Sequence, residues 1–506
     1  MPIPLPGPSM PCTPTLRDPP EGQQKVREIA AKLHSKYRPE VEAERYIASF
    51  NFSSDIDTFI LVEPGMGYLV SALLKYRPGC SVIVLHADCA FRDVERLSAG
   101  VSVRYPDSGI SVQEFLEGAV AETSKAHIVE WRASIGVYGK ACLDLVYESS
   151  CFIKRLEAGQ RTVAAFGKRW VRNFFRNLTI IRRPLLYRQM DIPVLVTGSG
   201  PSLETVLPEI IAARGNIFVL ASSSSVPALA AGGVFPDMVL GTDGGGWALL
   251  HLHACFRLKN AAAIKLSCAA TAALPADCSV LPVLPLCDGS LWQTLAFKAA
   301  GIPSVLVRQR GTVTASAVEL AFCISRGSVF MAGMDLGIDG IKSHARPYAF
   351  DAIFSGSASR MHPVYSQIFS RSFDMRSGAS YDVYAAWFKS RMKAWEGQVF
   401  SVGGKQGIFE KGRSLSGFAA GTGGQGRDGK QSGDCFREFA AEGNPQQRCA
   451  AALRELIVAL NAGNHAAALK KELAPLLFPS GCNVSSEEIA EELHNLALPY
   501  LWSRSG

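Results

Sequence analysis

An apolar strand running into a Gly-x-Gly turn, Val194-Leu-Val-Thr-Gly-Ser-Gly-Pro-Ser-Leu203, constrains the fold more than any other stretch of the chain. Pro201 suits the first position of a helix, where its missing N–H costs nothing. Leu203, Val206, Leu207, Ile210 and Ile211 then follow at helical spacing. A strand–turn–helix unit of this kind aims backbone N–H groups at an anion, such as the phosphate of a nucleotide or nucleotide-sugar. The turn Gly198, Ser199, Gly200, Pro201, Ser202 lacks the third glycine of the dinucleotide fingerprint and the lysine of a Walker loop. The same residues also read as a tight connection with no ligand.

Strand signals recur around this unit, at Val194–Val196, Ile217–Leu220, Met238–Leu240, Val305–Val307 and Val329–Met331, with helical patterns between several of them. That alternation predicts an α/β region with a mostly parallel, doubly wound sheet over residues 191–418. Upstream, Thr58-Phe-Ile-Leu-Val62, Glu63-Pro-Gly-Met-Gly-Tyr68 and Ser81-Val-Ile-Val-Leu85 read as a strand, glycine turn, helix and strand. They predict a Rossmann-like amino-terminal domain over 43–190, with Asp88 where a ribose would lie. Having only two glycines, that turn reads as structural or as a nucleotide or S-adenosylmethionine pocket. Residues 1–42 read as a Pro-rich disordered tail and a leading helix, 419–435 as a Gly-rich linker and 436–506 as a small helical domain. Ser485 and Glu488 form a capping box there.

Composition narrows the partners. With 506 residues, 48% hydrophobic and 19% charged, the chain has room for two or three cored domains. The apolar stretch 261–287 is broken by Lys265, Asp277 and prolines, so no membrane span is expected. The amino terminus has no continuous apolar run of a signal peptide. Thirteen cysteines occur mostly singly, without a C-x-x-C pair, which fits a reduced, cytoplasmic chain with no metal site. A formal charge of +7 does not argue for nucleic acid. Its distribution is uneven: Lys154, Arg155, Arg161, Lys168, Arg169, Arg172, Arg176, Arg182, Arg183 and Arg188 crowd one stretch. Phe166, Trp170, Phe174 and Leu178 recur within it, predicting an amphipathic helix with a basic face. That face is either a solvated surface or a place that recruits an acidic protein or an anionic donor.

Ligands gather at the carboxyl ends of strands in such sheets, so the residues after each strand carry the chemistry. They are Gly198 to Ser202; Ser222, Ser223, Ser224 and Ser225; Thr242 and Asp243 with Gly244–Gly246; Gly311 and Thr312; and Gly333-Met-Asp335. Hydroxyls in series suit a base, a sugar or a phosphate, although a single serine or threonine is commonly a helix cap. Asp243 and Asp335 suit a ribose hydroxyl, a metal or an acceptor hydroxyl.

Gly198-Ser-Gly-Pro-Ser-Leu203, the Ser222–Ser225 run, Phe235-Pro-Asp-Met-Val-Leu-Gly-Thr-Asp243 and Val329-Phe-Met-Ala-Gly-Met-Asp-Leu336 with Lys342-Ser-His344 resemble the bacterial motility accessory factor family. The likeness spans roughly residues 55 to 415. That family's central domain belongs to a superfamily shared with 6-hydroxymethylpterin pyrophosphokinase and resembles bacterial sialyltransferases. The resemblance implies a cytoplasmic glycosyltransferase that moves a nonulosonic acid, of pseudaminic or legionaminic type, from a CMP-activated donor to Ser or Thr of flagellin. It implies no required cofactor. The donor would meet the amides of Gly198–Ser202 and the hydroxyls of Ser222–Ser225 and Thr312. Ser199 stands where the sialyltransferase-like pattern often has Asn. An inverting displacement needs a base for the acceptor hydroxyl, and His344 is the first candidate, with His251 and His362 as rivals. Lys342 and Arg346 would balance the donor's negative charge. Two other readings stay open: a diphosphokinase using ATP and magnesium held by Asp243 and Asp335, and a noncatalytic flagellin-binding assembly factor.

Overall fold

The computed structural model describes residues 21–93, 95, 97–98, 100–256, 263–308, 312–337, 342–364, 366, 380–391, 394–403, 413–418, 435–461, 463–478 and 484–502. The expected disordered tail up to residue 20 and the linker at 419–434 lie outside these residues, as does Gly311. Two units divide between Ala158 and Gly159.

The first unit orders as α1 (Glu21–Leu33), α2 (Pro39–Ala48), β1 (Thr58–Val62), α3 (Tyr68–Tyr76), β2 (Ser81–Leu85), β3 (Ser102–Arg104), α4 (Val112–Ala119), β4 (Ala126–Glu130), α5 (Arg132–Tyr138) and the opening part of α6 (Lys140–Ile180). Its strands form a parallel sheet in the order β3-β2-β1-β4. Phe59 and Leu61 enter one apolar core and Ile60 and Val62 another, so both faces of β1 are covered. That explains the unbroken apolar run, because a buried parallel strand needs no polar face. The following glycine turn closes on the protein itself. His34 accepts the Met66 amide through Nε2 at 3.2 Å, and a Cβ on Gly65 would stand 2.5 Å from that nitrogen. Asp88 accepts the Ala90 amide at 3.2 Å in a local turn.

The second unit carries the rest of α6, then β5 (Arg183–Tyr187), β6 (Val194–Thr197), α7 (Leu203–Ala213), β7 (Phe218–Ser222), α8 (Val226–Ala231), β8 (Met238–Gly241), α9 (Ala248–Phe256), β9 (Lys265–Ala269), β10 (Pro282–Cys287), α10 (Leu291–Ala299), β11 (Val305–Leu306), α11 (Val313–Ile324), β12 (Val329–Ala332), α12 (Asp351–Gly356), α13 (Ser380–Arg391), β13 (Val399–Val402), β14 (Phe436–Glu438), α14 (Pro445–Asn461), α15 (Gly463–Leu477) and α16 (Ser486–Ala497). One sheet runs β13-β12-β6-β7-β8-β9-β10-β5-β14, with β11 beside β10. Its pairings are parallel except for β14 against β5. Leu195, Val219 and Val239 pack on one face with Leu203 and Ile210 of α7. Val196, Leu220 and Leu240 pack on the other with Val318 and Ile324 of α11.

The division at Ala158 departs from the expected boundary at 190. The basic half of α6 and β5 belong to the large sheet's unit, because Phe174 and Leu178 sit in one core with Trp292 and Phe297 of α10. The carboxy-terminal helices share that core through Leu453, Leu473 and Leu493, so they do not separate as a domain. Two polar contacts tie them in. Glu472 accepts the Leu291 and Trp292 amides at 3.0 and 3.1 Å, filling the positive start of α10, and Arg448 donates to the Ile181 carbonyl at 3.1 Å. The Ser485–Glu488 capping box is present at α16. Among the described residues no helix is long and apolar enough to cross a membrane, and the apolar stretch 261–287 contains β9 and β10. Ile211 faces solvent at 53% exposure, so α7 buries Leu203, Val206 and Ile210 alone of the expected set, with Leu207 partly covered.

Candidate functional site

Chain order reverses beside β6: β7 and β8 step away on one side, while β12 returns on the other. The crevice outside the carboxyl ends of β6 and β12 is therefore a topological switch point, where open parallel sheets place their ligands. Two glycine turns interlock there. The Gly198 amide donates to Ala332 O at 2.8 Å and the Gly200 amide to Gly333 O at 2.8 Å. A Cβ on Gly198 would stand 2.5 Å from Gly333 O, and one on Gly333 would stand 2.4 Å from Gly198 O. Glycine is required at both by close approach of two backbones.

Asp335 completes this arrangement. Its Oδ2 accepts the Ser202 amide at 2.9 Å, so an anion at the start of α7 is supplied by the chain itself. The Gly200, Ser202 and Gly198 amides are thus all answered within the protein. The Ser202 hydroxyl is buried without a hydrogen-bond partner. Pro201 lies in the turn, and α7 begins two steps later at Leu203 with Ser202 as its cap residue.

The segment after β12 is fastened to the same turn. The Ala345 amide donates to Ser199 O at 2.8 Å, the Arg346 amide to Glu204 Oε1 at 2.8 Å, and Lys342 pairs with Glu204 Oε2 at 2.8 Å. The side chain of Arg346 pairs with Asp351. These bonds hold His344 against Tyr348, with the rings stacked at 4.1 Å. His251, from α9, meets the same Tyr348 ring at 5.3 Å and Phe350 at 4.7 Å. Two of the three candidate histidines therefore share one aromatic cluster, although 93 positions of sequence separate 251 from 344. Burial, reinforced by His251 and Arg346, pushes the His344 imidazole down to about 4. Burial also lowers His251, partly offset by Asp243, and its Nδ1 is buried with no partner. Both shifts favour the neutral imidazole at physiological pH, the form a general base needs. His362 is exposed in a turn closed on Ser359 by backbone hydrogen bonds of 3.0 and 3.2 Å.

The hydroxyls sort into structural and open ones. Ser225 meets Thr197 at 2.8 Å and donates to Ser222 O at 2.9 Å, locking the ends of β6 and β7 together. Ser222 meets Ser224 at 3.2 Å, and Ser223 is buried. Thr312 caps α11 by accepting the Ala315 amide at 3.0 Å. Asp243 accepts the Gly245 amide at 2.7 Å in the loop that follows β8 and Thr242.

That loop and the basic half of α6 border an open cavity of about 580 Å³, lined by Arg169, Asn173, Arg176, Gly244, Gly246 and Trp247 with Leu249 and Ala273. Asn173 donates to Gly244 O and Thr271 O, each at 3.0 Å, pinning the helix across the ends of β8 and β9. Trp170 packs over Gly244, where a Cβ would meet its ring at 2.5 Å. Trp247 is 67% exposed and meets Phe350 edge-on at 6.0 Å, which joins the cavity mouth to the histidine cluster. Sequence reasoning singled out the basic stretch and the Asp243 loop separately. It missed Asn173, an amide within the helix α6 with no local signal, and Trp247, Tyr348 and Phe350, whose only local signal is an aromatic close to a glycine or proline.

Residues 168–340 match the sequence profile of the family described as 6-hydroxymethylpterin diphosphokinase MptE-like. The matched stretch opens in the basic half of α6 and runs past Asp335, so it contains the cavity, His251 and the interlocked turns. An uncharacterized protein of Treponema pallidum (strain Nichols) is 27% identical over 263 residues, covering 52% of this chain and 56% of that protein. The chain thus spans little more than half the length of that relative. A Maf glycosyltransferase structure from Magnetospirillum magneticum AMB-1 aligns with a TM-score of 0.46 and 11% identity, over 95% of this chain and 83% of that one.

Proposed function

We propose that the protein is a glycosyltransferase that moves a nonulosonic acid of pseudaminic or legionaminic type from a CMP-activated donor to a serine or threonine of flagellin. The observation that carries this reading is the pairing of two neutral histidines, His251 and His344, on one tyrosine beside the switch point. An acceptor hydroxyl needs a base held neutral and shielded from water. In this reading His251, whose Nδ1 is buried with no partner, serves as that base, with His344 as the alternative.

In this reading the acceptor O–H gives its proton to the imidazole as its oxygen bonds to the anomeric carbon. The bond from that carbon to the phosphate oxygen breaks with inversion, and CMP departs with the electron pair. Asp335 acts as a positioning residue, since its carboxylate holds the turn at Ser202. Asp243 steadies the loop after β8 and tempers His251.

The match to a diphosphokinase family keeps a second reading, pyrophosphoryl transfer from ATP with magnesium. Asp243 and Asp335 would have to carry the metal there, and each already spends an oxygen on a backbone amide. Calorimetry with CMP and with ATP plus magnesium separates the two. Binding of CMP is the expected result, and binding of ATP–magnesium alone would replace glycosyl transfer by the second reading.

A further inference from the structure

We infer that the cavity between α6 and the loop after β8 is the seat of the nucleotide's phosphoryl group, held by Arg169 and Arg176, with the glycine turn after β6 serving only as structure. The inference rests on the nucleotide-dependent reading above, and it moves the anion from where the sequence motif put it.

The first ground is the state of the motif. The Gly198, Gly200 and Ser202 amides all donate to protein oxygens, and the last of these belongs to the carboxylate of Asp335. A phosphate arriving there would have to displace a fixed negative group and would meet its repulsion. The second ground is the cavity. Positions 169, 173 and 176 lie on one face of a helix, and Asn173 fixes that face to the sheet ends. One neighbouring cation is neutralised, since Lys168 pairs with Glu492 at 2.8 Å. Among the described residues neither Arg169 nor Arg176 has a carboxylate partner, and both line a space of about 580 Å³. Such a volume is in the range of small-molecule sites, and the guanidinium fork matches phosphate oxygens.

The third ground is position. β8 stands two strands from β6, about 10 Å along the sheet at the usual strand spacing. In a CMP-activated sugar a single oxygen joins the phosphorus to the reacting carbon, so a phosphate at the arginines keeps that carbon at the cavity mouth, where Trp247 leads through Phe350 to His251. Trp247 also offers a flat apolar face for a ring.

The test uses the full chain and Arg169→Gln, Arg176→Gln and the double variant, with Arg172→Gln, an exposed neighbour outside the cavity, as control. Calorimetry is run with CMP, with cytidine and with ATP plus magnesium. Each cavity substitution is expected to weaken CMP by roughly tenfold or more while leaving the melting temperature, cytidine binding and the control's CMP affinity unchanged. CMP binding that is indifferent to both arginines would overturn the inference and leave the glycosyltransferase reading standing. Arginine-dependent binding of ATP without CMP would support the cavity as a phosphoryl seat and overturn the glycosyltransferase reading. Failure of the wild-type chain to bind either nucleotide overturns the inference.

Discussion

The carboxylate of Asp335 accepts the backbone amide of Ser202 at 2.9 Å, joining the turn after one strand to the cap residue of the helix that follows another. This contact converts a motif that looks made for a ligand into a junction between β6 and β12. A Cβ on Gly200 would stand 2.1 Å from Asp335 Oδ2 and 2.7 Å from Gly333 O, so Gly200→Ala has no room. Urea unfolding of that variant should show a loss of about 1–3 kcal/mol, as for other overpacked sites. Unchanged stability would mean the two turns are not interlocked as described.

His344 and His251 should differ from structural histidines in their effect on rate. Replacing either with alanine removes a ring packed on Tyr348 and should lower the unfolding midpoint while leaving the protein folded at the assay temperature. Replacement of the one that takes the proton should lower the rate of transfer by about 10²–10⁴-fold. Because burial holds the His344 imidazole at about 4, its neutral form persists well below neutrality. A pH–rate profile should therefore show no loss assignable to His344 until the acid side approaches that value, and a drop near 6.5 that disappears in His344→Ala would contradict the assignment.

The first unit contains a second, purely structural histidine. His86 is fully buried between Glu63, at 3.0 Å, and Glu95, at 2.8 Å, and stacks on Tyr105 at 4.8 Å. Burial pulls its proton affinity down, but hydrogen bonds and charge from both carboxylates outweigh this and raise it from 6.5 to about 9. A folded-state value above the unfolded one means the stabilisation is complete below 6.5 and is lost as pH rises through about 9. The full swing is on the order of 3 kcal/mol. Hydrogen exchange of β1 and β2 amides, corrected for intrinsic rates, should lose protection across that rise in wild type and not in His86→Gln. Equal slopes in the two proteins would refute it.

Glu472 makes the fourth case. Its two oxygens accept the Leu291 and Trp292 amides at the start of α10. Glu472→Ala should cost about 1–2 kcal/mol in urea unfolding, comparable to losing a helix cap, and Glu472→Gln should recover part of it. No difference between alanine and wild type would place the anchoring of α15 elsewhere.

The pattern of what was legible follows from the range of each signal. β1, β6, β7, β8 and β12 announce themselves because each apolar run ends on a glycine, serine or acid, and the capping box at Ser485 is a four-residue signal. β9 and β10 do not. They lie in a stretch with no alternation, since both faces of a central strand are covered, and Pro282 and Pro285 read as breaks although they belong to β10. The hydroxyl run after β7 was legible as a cluster, but the partner of Ser225 is Thr197 on the neighbouring strand, and only the fold supplies it. The cavity was least legible of all. Arg176 and Gly246 meet because α6 crosses the ends of β8 and β9, a relation between residues far apart in sequence that local periodicity does not encode.

Transfer itself is the most direct measurement. Purified protein is incubated with a CMP-activated nonulosonic acid and unmodified flagellin, and the intact mass of the flagellin is recorded with wild type and with the His251→Ala, His344→Ala double variant. The expected result is flagellin heavier by one or more nonulosonic acid residues with wild type, and no such gain with the double variant. Flagellin of unchanged mass in the presence of wild-type protein and intact donor would contradict glycosyl transfer at this site.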